Sequence, residues 1–357
     1  MKSKNTNRQI NPYVKFLINY SVPVIITLLV IAAIPLSGLS GDYYIREVTA
    51  RLSRNTFLVL ALLIPVMAGM GMNFGIVLGA MAGEIGLIFI TDWHIVGIKG
   101  MFLSFIISTP IAILLGYFAG IVLNRAKGRE MVTGFMLSFF MNGIYQIIVL
   151  YGMGSVIPIT NSDILLPRGY GIRNAISLLE IRQVMDNLIP LQVSGIQIPV
   201  ATILLIILLC LFIVWFKKTK LGQEMCTVGQ DNNVARSLGI NVERTRIISI
   251  IISTVLACYG QIIFLQNVGT MNTYNSHEQV GVFAIAALLV GGASVARASI
   301  PNAFIGVLLF HTMFVVSPRA GKELIGQAQL GEYFRVFVSY GVIAISLAFY
   351  AWSKRIE

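Results

Sequence analysis

The chain has 357 residues, 56% of them hydrophobic and only 11% charged, with a formal net charge of +11. Soluble proteins carry about a quarter charged residues, so a chain this large and this poor in charge cannot cover a globular surface, and lipid has to be its solvent. A soluble enzyme is excluded. With no basic domain outside the apolar runs, so is a nucleic-acid surface as the meaning of the positive charge.

A hydrocarbon core of about 30 Å calls for about 20 apolar residues. By that measure ten spans are predicted, at 17–37, 57–72, 74–91, 101–123, 131–153, 197–216, 246–266, 279–296, 300–317 and 333–352. The expected fold is all-α: a polytopic membrane helix bundle of about ten transmembrane helices, forming one domain over 1–357. Residues 1–16 are polar and basic, and the first apolar run is too long for a signal-peptide core, so no cleavable signal is expected. Arg125, Lys127 and Arg129 lie between the fourth and fifth spans, and Lys217, Lys218 and Lys220 follow the sixth. The positive-inside rule places these segments and both termini in the cytoplasm. The net charge then reads as topology and contact with anionic lipid.

After the first span, 38–56 carries Ile45, Val48 and Leu52 on one face and Arg46, Arg51 and Arg54 elsewhere, the pattern of an amphipathic helix lying on the outer surface. Spans 57–72 and 74–91 are short and almost end to end, so one is expected to be re-entrant or broken. Small residues crowd 69–86 (GMGMNFGIVLGAMAGEIG) and again 290–306 (VGGASVARASIPNAFIG). Such paired, glycine-interrupted segments suggest a weak two-half pseudo-symmetry around a central pathway; equally, small residues simply let helices approach.

Polar groups inside a membrane are costly and tend to face the bundle interior or a wet cavity. Glu84 is the one carboxylate well inside a predicted span. It could line a pathway, carry a proton or only bond a neighbouring helix. Asn142 and Gln146 stand at i and i+4 with Tyr145 beside them. With Asn73, Gln261 and Gln266 these form the candidate pathway set, amide and aromatic chemistry suited to an uncharged, hydroxyl-rich solute. The alternative use of amides is to join helices. His94, His277 and His311 show no ligand spacing, so no metal site is expected. Cys210, Cys226 and Cys258 imply no disulfide framework.

The segment 154–196 is expected as an outer loop or cap. It is loop-like through SVIPITNSDILLPRGYGIRN, then helical by the spacing of Leu178, Leu179, Val184 and Leu188. It either meets a partner or covers a mouth. Residues 318–332 are expected as a second outer loop.

The connector 217–245 is more than a turn. Leu221, Met225 and Val228 fall at i, i+4 and i+7, continuing a helix that Gly229 and Gln230 interrupt. Asp231, Asn232 and Asn233 then offer an N-cap, Val234 to Leu238 make a short turn of helix, and Gly239 suits the left-handed residue that stops it. A helix this short needs something to pack on it. The residues Gly229, Asp231, Val234, Ala235, Arg236, Leu238 and Gly239 therefore describe a cytoplasmic docking knob.

The run Gly222…Thr227-Val228-Gly229…Val234-Ala235-Arg236…Gly239-Ile240-Asn241-Val242 resembles the cytoplasmic motif of ribose-type permeases of bacterial ABC importers, a group related to branched-chain amino acid permeases. Ala284 to Ser294 (AIAALLVGGAS) is similar to that family's second signature. The resemblance covers 215–355 well and the first half weakly. It implies a transport subunit, not an enzyme. Its partners would be a cytoplasmic ABC ATPase, an extracytoplasmic solute-binding protein and a second permease, identical or not. ATP and Mg would be used by the ATPase alone, and no cofactor would be bound here. Consistent with that, the chain has no phosphate-binding G-x-x-x-x-G-K-[ST] loop. The solute expected is small and neutral, a monosaccharide such as a pentose or a nucleoside. The rival expectation is an ion-coupled secondary transporter using Glu84.

Overall fold

The computed structural model describes residues 12–193 and 195–356. Most of the basic N-terminal stretch, 1–11, on which the uncleaved cytoplasmic start was expected, falls outside them. The helices are α1 Pro12–Leu36, α2 Gly41–Ala61, α3 Leu63–Met67, α4 Ile76–Asp92, α5 Gly97–Arg125, α6 Glu130–Ile147, α7 Val200–Lys218, α8 Lys220–Gln230, α9 Asn232–Ser237, α10 Val242–Val268, α11 Glu278–Val290, α12 Ile300–Ile325 and α13 Ala328–Ile356. A π-helical turn, Ile148–Gly152, prolongs α6.

Six stretches among the described residues are long and apolar enough to cross a membrane: Gly41–Met67, Gly97–Arg125, Glu130–Gly152, Val200–Lys218, Val242–Val268 and Ile300–Leu324. Val22–Leu36 and Glu278–Val290 are shorter apolar helices. Length and composition therefore do not establish the expected ten. For one of the four missing spans, 279–296, the cause is plain: the 13 residues of α11 rise only about 20 Å at 1.5 Å each.

The bundle is organised around α10. Its neighbours α4 and α5 meet it through glycines: a Cβ on Gly83 would lie 2.8 Å from the Cys258 carbonyl oxygen, and one on Gly116 3.0 Å from Ile251 Cα. In lipid, where apolar surfaces gain little by leaving the solvent, such backbone approach is a main source of helix association. Gly291 and Gly306 face each other's helices across α11 and α12 in the same way. Both glycine-rich segments thus serve close packing.

Several elements differ from expectation. The stretch 38–56 is not a separate surface helix; it opens α2, which runs unbroken from Gly41 to Ala61 and is buried from Thr56 onward. The expected span 57–72 is the broken one. It is completed by the end of α2 and by α3, and then 68–75 is largely non-helical, with Gly69 and Gly71 at φ +68° and +70°. Residues 178–188 form turns instead of a helix. Gln183 has φ +51°, its N–H donates to the Gln266 carbonyl, and that tertiary bond outweighs the helical spacing. The expected loop 318–332 is mostly helix: α12 continues through Pro318 to Ile325, ends at Gly326 with φ +78°, and α13 begins at Ala328. Gly331 packs against Ser317 and Pro318, so the proline is held by its neighbour helix. Finally, all-α needs amending by two small antiparallel pairs: β1 Ala175–Ser177 with β4 Thr270–Asn272, and β2 Pro190–Val193 with β3 Ile196–Pro199.

One end of the bundle gathers Met67–Gly69, the α8–α10 connector and the start of α6, where Arg246 pairs with Glu130 and its Nε lies 2.7 Å from Met70 Sδ. The other end gathers the strands and the 154–196 segment. There Asp92, at the end of α4, accepts from the Thr160 and Asn161 N–H groups at 2.7 and 2.9 Å.

Candidate functional site

Half-way along the bundle a polar cluster joins four elements. Glu84 on α4 is fully buried. Its Oε1 accepts from Gln261 Nε2 of α10 at 3.0 Å; its Oε2 accepts from Tyr145 Oη of α6 at 3.0 Å and lies 2.8 Å from His277 Nδ1. His277 Nε2 lies 2.9 Å from Asn142 Oδ1, and Asn142 Nδ2 donates to Glu278 Oε1 at 2.6 Å. Gln146 Nε2 completes the line at 3.4 Å from Asn142 Oδ1.

With Asn142 Oδ1 facing the ring, His277 must donate through Nε2. Its other nitrogen, Nδ1, faces the Glu84 carboxylate. An unpaired carboxylate at this depth would be strongly destabilising; here both oxygens are bonded. The cluster also holds α6, whose other buried residues are few: Gly134, Leu137 and Ser138.

Five of the seven candidate pathway residues, Glu84, Asn142, Tyr145, Gln146 and Gln261, are thus brought together from three helices. The other two are elsewhere. Asn73 is buried in the break after α3, where its Nδ2 reaches Ser253 Oγ at 3.4 Å, and Ser253 donates to the Ala61 carbonyl. Gln266 belongs to a clamp near the strands: with Asn267 it donates to Asp186 Oδ2, while Thr202 donates to Oδ1 at 2.8 Å. Both sites join chain segments that would otherwise part.

Sequence reasoning missed His277 and Glu278. Neither falls inside an apolar run, because α11 begins part-way through the bundle; the adjacent His-Glu pair just before an apolar stretch was the available signal. Near them, Tyr274 Oη donates to the Ile172 carbonyl at 2.7 Å. Burial holds its phenol above the usual range, against the lowering effect of Arg168.

At the connector end the local geometry is a capped helix. Asp231 accepts from the N–H groups of Asn233 and Val234 at 2.6 and 3.3 Å. Gly239 takes φ +76°, its N–H donates to Arg236, and the Ile240 N–H donates to Ala235, the double bond pattern of a Schellman stop. Val228, Ala235 and Val242 form a small core with Ile240 against it. On the outside, Val234 and Leu238 are 50% and 67% exposed, and Arg236 is exposed between them. Gly229 seats directly on the main chain of the broken span. A Cβ on Gly69 would lie 2.9 Å from Gly229 Cα, and one on Gly229 would lie 3.0 Å from the Met67 carbonyl carbon and 3.1 Å from Gly69 N.

The sequence is similar to those of known proteins. Residues 50–347 match the model of the family described as branched-chain amino acid transport system / permease component. The chain is 32% identical to the probable ABC transporter permease protein YphD of Escherichia coli over 31% of its length and 34% of the relative's. It is 30% identical to the xylose transport system permease protein XylH of Haemophilus influenzae over 33% and 32% of the two chains. It is 26% identical to the nucleoside ABC transporter permease protein NupB of Lactococcus lactis subsp. cremoris over 42% and 39%. The matched stretches thus span only 32% to 39% of these relatives. No solved structure matches. With the family model covering residues 50–347 and six helices long enough to span a bilayer, the chain is a multi-pass membrane protein of the branched-chain amino acid transport system permease family.

Proposed function

We propose that the chain is the permease subunit of an ATP-driven importer for a small neutral sugar or nucleoside, in a bacterial inner membrane. ATP and Mg would be used by a separate cytoplasmic ATPase, an extracytoplasmic binding protein would deliver the solute, and a second permease, identical or different, would complete the pathway. The observation that carries the reading is the connector: a doubly capped helix that shows Val234 and Leu238 to its surroundings and rests, through Gly229, on the backbone of a broken span. An exposed apolar pair on a rigid, capped turn suits insertion into a groove on another protein. The relatives' names point to the same class, one to xylose and one to nucleosides.

The proposed topology makes ten passes, with α4 and α11 as short ones, and puts the connector, Arg125, Lys127 and Arg129 inside. Closure of the ATPase dimer would move α8 and α9 as a body, and Gly229 would pass that movement to Met67–Gly69 and on into α4, which carries Glu84. The ion-coupled alternative is disfavoured by Glu84 itself, which is bonded at both oxygens and has no exposed surface. A carrier carboxylate must open to each side.

Purification through a tag on this chain tests the reading. A co-purifying ATPase is expected, and Val234→Asp with Leu238→Asp should release it while leaving membrane insertion intact. An ATPase retained by that double variant would overturn the docking role.

A further inference from the structure

At the connector end of the bundle, α5 and the start of α10 bound an open groove of about 520 Å³, whose lining includes Tyr117, Glu243, Arg244, Ile247, Ile248 and Ile251. We infer that this groove binds one anionic phospholipid, its phosphate at Arg244 and an acyl chain along the isoleucines. A lipid site of this kind needs only the multi-pass membrane fold and is independent of the solute carried.

The groove is graded from charge to hydrocarbon. Arg244 stands in the first turn of α10, whereas Ile247 and Ile251 follow it along the helix, the latter about 10 Å further on at 1.5 Å per residue. Since Val242–Val268 is long and apolar enough to cross a membrane, the cation stands at its edge and the isoleucines descend toward its apolar interior. On the other wall, α5 comes close through its glycines. A Cβ on Gly120 would lie 3.0 Å from Ile247 Cγ2, and one on Gly116 3.0 Å from Ile251 Cα. Between these glycines Tyr117 is 53% exposed. A tyrosine so placed sets its ring against an acyl chain and its hydroxyl toward the headgroups.

Charge selects the headgroup. Glu243, the one carboxylate in the lining, lies 3.7 Å from Lys127 Nζ, so these two charges largely cancel. Arg244 is exposed, and its guanidinium has no partner among the described residues. Arg125 and Arg129, exposed on either side of Lys127, add to the positive potential. Basic pockets between spans are suited to anionic headgroups. A free phosphate would leave the isoleucines uncovered, and a soluble protein could not follow the groove into the bilayer. A zwitterionic lipid would bring an ammonium group to the same cations. Val242, just before Arg244, belongs to the small core beneath α9, so a lipid held here braces the joint between the connector and the bundle.

The test is native mass spectrometry of the full chain, with any partners that co-purify, titrated in detergent with dioleoylphosphatidylglycerol, dioleoylphosphatidylethanolamine or inorganic phosphate. One phosphatidylglycerol adduct is expected at a concentration about tenfold below that needed for phosphatidylethanolamine, and inorganic phosphate should not displace it. Arg244→Gln should raise the half-occupancy concentration roughly fivefold, the effect of one cation beside an anionic headgroup. Arg244→Lys should change it less than about twofold, and Lys99→Gln, exposed at the opposite end of α5, not at all. Equal binding of the two lipids, or wild-type binding by Arg244→Gln, would overturn the site. Displacement by inorganic phosphate would also overturn it, in favour of a free anion. Should Arg244→Gln lower the Tm of the lipid-free chain, Tyr117→Ala takes its place: weakened phosphatidylglycerol binding is expected, and wild-type binding would overturn the site.

Discussion

Replacing Gly229 by alanine adds a single methyl group where the connector touches the broken span. That methyl would overlap the Met67 carbonyl oxygen and lie 3.0 Å from its carbon and 3.1 Å from Gly69 N. The obstacles are main-chain atoms, so no side chain can rotate away. The two segments must separate by about 1 Å, and overpacking of this kind costs roughly 1–3 kcal/mol. A penalty of that size leaves the chain folded and inserted, and α9 lies beyond the altered contact. Gly229→Ala should therefore keep the ATPase bound and its basal hydrolysis running, while solute uptake per ATP hydrolysed falls at least tenfold. Gly143→Ala, at a glycine with open space around it, is the control and should change neither. Uptake measured alongside hydrolysis in reconstituted vesicles decides the matter. Normal coupling in Gly229→Ala would refute the idea that movement passes through this contact.

Gly239→Val places a β-branched residue at φ +76°, destabilises the stop of α9 and should reduce ATPase co-purification without reducing membrane insertion. Asp231→Ala removes the cap that serves two N–H groups at a cost of about 1 kcal/mol; a weaker association than wild type, with more complete loss in the double variant Asp231→Ala/Gly239→Val, is expected by titration. Glu84→Ala leaves Tyr145, Gln261 and His277 without their shared acceptor and should lower stability by roughly 3–5 kcal/mol, the range for breaking a buried pair, read as a lower Tm in detergent. Glu84→Gln keeps most of those bonds, so its Tm should fall less, and its uptake should remain insensitive to a proton uncoupler. Uptake that collapses with the proton gradient would favour the carrier role instead.

How legible the molecule was in its sequence depended on the range of the forces involved. In the connector the cap and stop of α9 were readable, because Asp231 and Gly239 act on their immediate neighbours; the rest was not, since α8 is a separate helix capped by Thr219 and not a continuation of α7, and it runs through Gly229 to Gln230 without the expected interruption. The six long apolar helices were readable by composition, since lipid imposes a length; the other four expected spans were not established. Interruptions were less readable. The start of α2 carries Arg46, Arg51 and Arg54 and reads as a surface helix, yet it continues into the bundle because its later residues are buried against α10 and α12. The 178–188 turns defied a helical spacing because Gln183 is tied to Gln266, a partner distant in sequence. In the polar cluster, the residues within apolar runs stood out by contrast, whereas His277 and Glu278 were hidden by their position ahead of α11. Asn73 and Gln266 looked alike to the others; only the fold shows that they join segments at opposite ends of the bundle.

The claim on which the account turns is that force enters through α8 and α9 from a separate motor. Uptake by vesicles containing the purified chain, with and without the ATPase and with ATP on the connector side, measures it most directly. The account predicts uptake only when ATPase and ATP are both present, lost in the Val234→Asp/Leu238→Asp variant. Equal uptake by the chain alone would contradict it.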